Sequence, residues 1–331
     1  PGVRNLAVSE AVAPHGLYYA PDPSSQIACT IGGNVAENSG GVHCLKYGLT
    51  VHNVLEVEVL TIDGEWLTLG GRGLDAPGLD LLALMHGSEG LLGIVMQVTV
   101  KLLPKPELAR VVLAAFDSVE AAGAAVAAII AAGIVPGGLE MMDKLAIEVA
   151  EAYCHAGYPL DAAAILLCEV DGNAVDVDAQ LEQVGAVLRE AGARDLRVSR
   201  DEAERLRFWL GRKSAFPAIG RIAPDYFCMD GTIPRRHLAP VLERIAALSR
   251  EFNLPVANVF HAGDGNLHPL IAFDANDDDS LRRAALLGGR ILAACVEVGG
   301  TVTGEHGVGV EKLNEMCLQF TDAELDTFLA L

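Results

Sequence analysis

Positive charge is scarce in this chain. Its 331 residues carry 24 Lys and Arg against 44 Asp and Glu, a formal net charge of −20. That balance argues against a nucleic-acid binder, which needs a basic footprint to release counterions from phosphate, and against direct adsorption to anionic lipid. Paired cysteines are missing as well. The seven cysteines (Cys29, Cys44, Cys154, Cys168, Cys228, Cys295, Cys317) are scattered, and none forms Cys-x-x-Cys. The usual iron–sulfur and zinc-ribbon spacings are therefore excluded, and reduced thiols in a cytoplasmic protein are expected. The most apolar segment, Ala121–Val135, is shorter than a membrane span and is broken by Gly133 and Pro136, so it reads as a soluble helix and direct membrane insertion is not expected. No signal peptide is apparent. The dinucleotide fingerprint G-x-G-x-x-G is absent too, which leaves a nicotinamide fold without support.

What is present is apolar residues, at 51%, and 35 glycines. The length suffices for two domains, each with its own core. The first residues, Pro1-Gly2-Val3, and the last, Phe328-Leu329-Ala330-Leu331, look like cuts through a longer protein.

Residues 1–103 read as mixed α/β, with a helical pattern over Asn5–Ala13, a hairpin around Asp63-Gly64 and a strand over Ile94–Leu103. Pro104 and Pro106 end that strand, so a domain boundary is placed at 103/104, giving domains 1–103 and 104–331. Strand and helix patterns then alternate: strand Val111–Phe116, helix Ser118–Ala132, strand Gly138–Met142, helix Lys144–His155, strand Ala164–Val170, helix Val175–Ala191, strand Arg194–Ser199. This predicts an α+β sheet with helices on one face, in a ferredoxin-like layout. Asp117 and Glu120 stand at capping-box spacing for the first of those helices.

Three glycine-dense motifs stand out. Thr30-Ile31-Gly32-Gly33-Asn34 with Asn38-Ser39-Gly40-Gly41 lets backbone approach a ligand closely and suits a phosphate or cofactor loop, although a plain surface loop has the same composition. His261-Ala262-Gly263-Asp264-Gly265-Asn266-Leu267-His268 lies between two apolar runs and reads as a hairpin. With 263–266 as the loop, His261 faces His268 directly, with Cβ atoms about 4.5–5.5 Å apart. Such a pair could share a metal ion or be incidental. The third motif, Gly299–Gly309, surrounds Glu305 and His306 with five glycines. In extended backbone these two side chains point opposite ways, so one can serve a metal and the other a substrate. His261, His268 and Glu305 form a two-His, one-carboxylate set of the catalytic zinc type, which also suits Fe(II), Mn or Co. Arg212 sits in a stretch with helical spacing, and a guanidinium is the natural bidentate partner of a carboxylate. Lys213 and Asp264 are candidates only by proximity.

Together with Gly87-Ser88-Glu89-Gly90-x-x-Gly93 and Gly304-Glu305-His306-Gly307, these motifs resemble the FAD-linked oxidases of the vanillyl-alcohol oxidase superfamily. Arg212-Lys213-x-Ala215-Phe216-Pro217 and Asp230-Gly231-Thr232-Ile233-Pro234 are most similar to the glycolate oxidase flavin subunits, close to FAD-dependent D-lactate and D-2-hydroxyglutarate dehydrogenases.

The resemblance implies the C-terminal part of a PCMH-type FAD-binding domain, followed by a ferredoxin-like FAD-linked oxidase C-terminal domain. It implies oxidation of a small 2-hydroxy acid such as glycolate or D-lactate to the 2-oxo acid, with FAD and a divalent metal (Zn, or Fe or Mn) as cofactors. Electrons would pass to an iron–sulfur acceptor subunit, in a cytoplasmic protein that can associate with the membrane through partners. D-2-hydroxyglutarate is an alternative substrate, and an inert fragment without a complete flavin site is an alternative reading, because the family's first pyrophosphate loop and C-terminal tail have no counterpart here. The implied residues are His306 as catalytic base, with Arg212 and Asn266 on the substrate. The metal would take His261, His268 and Glu305. Asp22, Ser25, Thr30, Ile31, Gly32, Gly33, Asn38, Glu89, Gly90, Gly93 and Ile94 would line the flavin.

Overall fold

The computed structural model describes residues 1–73 and 78–331. They divide into two compact units. The first is Pro1–Lys105 with Glu305–Val310 and Thr321–Leu331; the second is Pro106–Gly304 with Glu311–Phe320. Residues 305–310 and 321–331 thus group with the first unit, although the sequence reading runs the second domain unbroken to 331.

The first unit contains helices α1 (Asn5–Val12) and α2 (Ile31–Glu37) and strands β1 (Val54–Leu60), β2 (Trp66–Gly70) and β3 (Ile94–Val100). The strands form an antiparallel sheet in the order β2-β1-β3. The expected hairpin is present: Gly64 takes φ +79° and donates its N–H to the Thr61 carbonyl, a left-handed conformation that glycine adopts without a Cβ penalty. Val35 of α2 packs with Val54, Val57, Val59, Met85 and Val95 to form this unit's core.

In the second unit, β4 (Leu108–Phe116), α3 (Val119–Ala131), β5 (Gly138–Asp143), α4 (Lys144–Cys154), β6 (Ala164–Gly172), α5 (Ala174–Glu190) and β7 (Asp195–Val198) follow in order. Then come α6 (Glu202–Ala218), β8 (Asp225–Cys228), α7 (Leu238–Phe252), β9 (Val256–His261), β10 (Pro269–Phe273) and α8 (Asp278–Glu297). The seven strands pair antiparallel in the order β8-β10-β9-β5-β6-β4-β7. The four strands β5-β6-β4-β7 reproduce the ferredoxin-like order, and β8–β10 extend the sheet at the β5 edge.

Two local expectations change. Residues 111–116 of β4 and 164–171 of β6 are buried at every position, so both faces of the sheet are covered, not one. The helices split accordingly: α3 packs with α5 and α7, whereas α4 packs with α6. The α3 cap is Ser118, whose hydroxyl accepts from the Ala121 N–H, because Asp117 instead pairs with Arg194 at 3.1 Å.

Candidate active site

Helix α6 begins with good terminal chemistry. Asp201 caps the Glu204 N–H, and Glu202 and Glu204 lie in the first turn, where negative charge suits the helix dipole. Its inner face repeats at Arg205, Trp209, Arg212 and Phe216, spacings of three and four that keep one stripe on the sheet. The sheet answers with carboxylates from apolar strands. Glu169 of β6 accepts from Arg205 Nη1 at 2.7 Å and from the Trp209 indole N–H, while Glu202 takes Arg205 Nε and Nη2, each at 2.7 Å. Arg205 is therefore satisfied on all three nitrogens.

Arg212, seven residues on, is not. Its side chain is fully buried, and Nε donates to Glu140 Oε2 at 2.7 Å. Nη1 and Nη2 have no hydrogen-bond partner among the described residues. A buried guanidinium fork without an anion is costly, and a carboxylate is the ligand whose two oxygens match it. Phe216, one turn further, packs edge-on against His268 with ring centroids 5.8 Å apart.

Glu140 lies directly opposite His261 in the β5–β9 register, so the two side chains share a face. Its Oε1 meets His261 Nδ1 at 2.7 Å. Burial by itself would raise the Glu140 pKa; His261 and Arg212 outweigh it and hold the carboxyl below its usual range. The hairpin register differs from expectation by two residues. His261 bridges Asn266 and not His268, with Gly265 at φ +83° closing a loop of residues 262–265. A shift of two preserves the face, so His268 becomes the diagonal neighbour. The imidazoles still meet, with centroids 5.0 Å apart and planes 80° apart.

Asp230 adds to this cluster: its Oδ1 is 3.5 Å from His268 Nε2, and its Oδ2 accepts from Thr303 Oγ1, the Gly304 N–H and buried Lys312 Nζ. Asn266 is 6% exposed, and its Oδ1 has no partner among the described residues. The turn itself uses Asp264, which accepts from the Asn266 N–H, and Arg235, which donates to the Gly263 carbonyl at 2.7 Å.

Glu305 and His306 belong to the first unit. Glu305 lies against Gly40, where a Cβ would overlap its carboxylate. His306 is 40% exposed in its side chain, with Nε2 3.8 Å from Glu305 Oε1. Glu89, at φ +52°, holds this loop by accepting from the Val308 and Gly309 N–H groups at 2.6 and 2.9 Å. The other flavin-side residues mostly have local tasks. Thr30 caps α2 by accepting from Gly33; Asn38 ends it at φ +52° and accepts from the Val51 N–H; Asp22 pairs with His43 at 2.9 Å. Ile31 is buried beside Gly32 and Gly33 at the start of α2. Gly93 admits no Cβ against Val59; Gly90 takes φ +78°; Ile94 is 63% exposed at the start of β3; Ser25 receives the Ala28 and Cys29 N–H groups on its carbonyl. Asn34, 1% exposed, keeps both amide atoms without a partner among the described residues.

Comparison with known proteins divides the chain near residue 105 and runs the second part unbroken to 331. Residues 105–331 match the family described as FAD linked oxidases, C-terminal domain, and residues 1–70 match FAD binding domain. The chain belongs to the FAD linked oxidases. It is 68% identical over its whole length to the glycolate oxidase subunit GlcD of Escherichia coli K12, of which it spans 66%, just under two thirds. It is 38% identical to GlcD of Bacillus subtilis, spanning 71% of that chain. Over 95% of its length it is 32% identical to a D-lactate dehydrogenase of Anaerostipes hadrus, of which it covers 68%. Among solved structures, 4-ethylphenol oxidase from Gulosibacter chungangensis superposes with a TM-score of 0.76 at 15% identity, covering 99% of this chain and 71% of that one. At that identity the likeness establishes the fold. Among the described residues no helix is long and apolar enough to cross a membrane.

The residues present fit the implied cofactors. An orphaned buried amide at Asn34 beside two glycines suits a polar flavin atom, and the His268 imidazole beside Asp230, with His261 against it, suits a borderline divalent cation. Sequence reading missed Glu140 and Lys312, and assigned no role to Asp230. For Glu140 and Glu169 a signal existed: a lone carboxylate inside an otherwise apolar strand is rarely buried unless paired.

Proposed function

We propose that this chain is the flavin- and substrate-binding part of an FAD-dependent 2-hydroxy-acid dehydrogenase that oxidises glycolate or D-lactate to the 2-oxo acid. The observation that carries it is the buried Arg212 fork, held through Nε by Glu140 and with Nη1 and Nη2 unpartnered among the described residues. Arg212 binds the substrate carboxylate and fixes the orientation of the adjacent carbon. Asn266 offers a buried amide oxygen to the 2-hydroxyl. His306 accepts the hydroxyl proton, a general-base role typically worth about 10²–10⁴ in rate. FAD, when bound beside Asp22, Ser25, the Thr30–Gly33 loop, Asn38 and the Glu89–Ile94 segment, supplies the acceptor for the α-hydrogen and its electron pair. A divalent cation, Zn or else Fe or Mn, held by His261, His268 and Glu305 would acidify the hydroxyl. The lack of any Cys-x-x-Cys pair supports a separate iron–sulfur acceptor in the cytoplasm, consistent with the relatives' description as subunits.

The test is anaerobic mixing of the FAD-loaded chain with glycolate, D-lactate and D-2-hydroxyglutarate, one at a time. Glycolate or D-lactate is expected to bleach the visible flavin band, and His306→Ala is expected to abolish bleaching while FAD and metal content stay unchanged. Reduction by none of the acids, or by D-2-hydroxyglutarate alone, would contradict the assignment.

A further inference from the structure

The substrate anchor and the metal-side histidine share one neighbour, and that neighbour is a fully buried carboxylate. We propose that Glu140 is a positioning residue for both: it sets the tautomer of His261 and the aim of the Arg212 fork, so that a divalent cation and a carboxylate are received in register. The inference rests on the function proposed above and deepens it.

The two oxygens of Glu140 are used on different groups. Oε2 takes Arg212 Nε at 2.7 Å, and Oε1 takes His261 Nδ1 at 2.7 Å. An ionised carboxylate only accepts, so the proton of a neutral His261 must stand on Nδ1, and its Nε2 is left as a lone pair. Metal-binding imidazoles are characteristically held this way, with the distal nitrogen donating to a carboxylate that fixes ring and tautomer. On the other side, occupying Nε consumes one of the five guanidinium donors and leaves the four on Nη1 and Nη2 for a second anion.

A stabilising buried ion pair would look different, and the same helix shows how. Glu169 accepts from Arg205 and Trp209, and each of the three Arg205 nitrogens is bonded to Glu169 or Glu202. Glu140 is likewise buried, at 1% exposure, yet it leaves its arginine unsaturated and contacts a histidine with a second imidazole 5.0 Å away.

Glu140→Gln separates these roles. The amide has one acceptor oxygen, so it cannot receive both Arg212 Nε–H and His261 Nδ1–H. If the oxygen serves Arg212, the amide nitrogen donates to His261, and the ring proton moves to Nε2, where it blocks a metal. If the oxygen serves His261, two donors face each other at Arg212. Titration of the FAD-loaded chain with Co²⁺ or Zn²⁺ is therefore expected to show metal affinity about 10–100-fold weaker in Glu140→Gln. Binding of 2-hydroxyisobutyrate, which has no α-hydrogen to lose, should weaken about 10-fold. Flavin content and far-ultraviolet dichroism should stay at the parent level. A folded variant that binds both ligands as tightly as the parent does would overturn the shared role.

A second measurement needs no variant of Glu140. The imidazole nitrogen resonances of His261 in the parent, assigned by their loss in His261→Gln, should show a protonated Nδ1 and a pyridine-like Nε2. A proton on Nε2 overturns the inference. If the parent binds no divalent cation, the metal assignment above fails, while the tautomer still decides the role of Glu140.

Discussion

Arg205 and Arg212 stand two turns apart on one face of α6, about 10 Å along the helix axis. Each reaches a buried glutamate on a neighbouring strand, Glu169 on β6 or Glu140 on β5. They match in residue type and in facing a buried glutamate, although Arg205 keeps 16% of its side chain exposed and Arg212 none. They differ in saturation: Arg205 uses all three nitrogens within the protein, whereas Arg212 uses one and leaves the fork unpartnered among the described residues. Folding commonly satisfies buried polar groups, so a charge left half-satisfied marks a place where stability is given up for a ligand. The location of a charge is thus less informative than the donors it still has to offer.

The largest effect that would break this comparison is on turnover. Arg212→Met is expected to lower the rate of substrate-driven flavin reduction, per unit of acid concentration, by about 10²–10³-fold, because a desolvated charge pair with the substrate is lost. Arg205→Met should leave that rate within about threefold, the scatter expected when no substrate contact is changed. Equal losses would mean that the two arginines do the same job.

Stability should reverse the ranking. Arg205→Met strips Glu169, 3% exposed in its side chain, of its ion pair with Arg205 and is expected to cost about 3 kcal/mol, read as a lower midpoint in urea. Arg212→Met leaves Glu140 its His261 partner and removes two unpartnered nitrogens, so about 1 kcal/mol is expected.

How far this was legible from sequence alone depended on how local the signal was. The β4–β7 layout follows from alternating strand and helix periods, and the glycine-rich loops and the pairs His261/His268 and Glu305/His306 are dense in sequence. Arg212 was only a weak candidate before the resemblance, since one arginine on a helix is ordinarily a surface charge. Glu140 was legible as a lone carboxylate in an apolar strand but its partners were not: they lie 72 and 121 positions away, and no window of sequence contains them. The hairpin register slipped by two because composition does not say which of the loop residues closes the turn. The structure puts Gly265 there, at φ +83°.

The smallest effect sharpens the same contrast through a thiol. Cys168 adjoins Glu169 on β6, and burial pushes its pKa up to about 12, so it should stay unmodified by a thiol reagent at neutral pH while exposed Cys317 reacts. Arg205→Met should admit slow labelling of Cys168, followed by mass spectrometry, and Arg212→Met should not. Labelling of Cys168 at the same rate in both variants would show that the two ends of α6 seal the sheet equally.

Calorimetric titration with 2-hydroxyisobutyrate tests, without any turnover, the role of the Arg212 fork as a carboxylate receptor. The parent chain and Arg205→Met should bind with similar dissociation constants, and Arg212→Met should bind about 100-fold more weakly or not at all. Binding to Arg212→Met as tight as to the parent would contradict it.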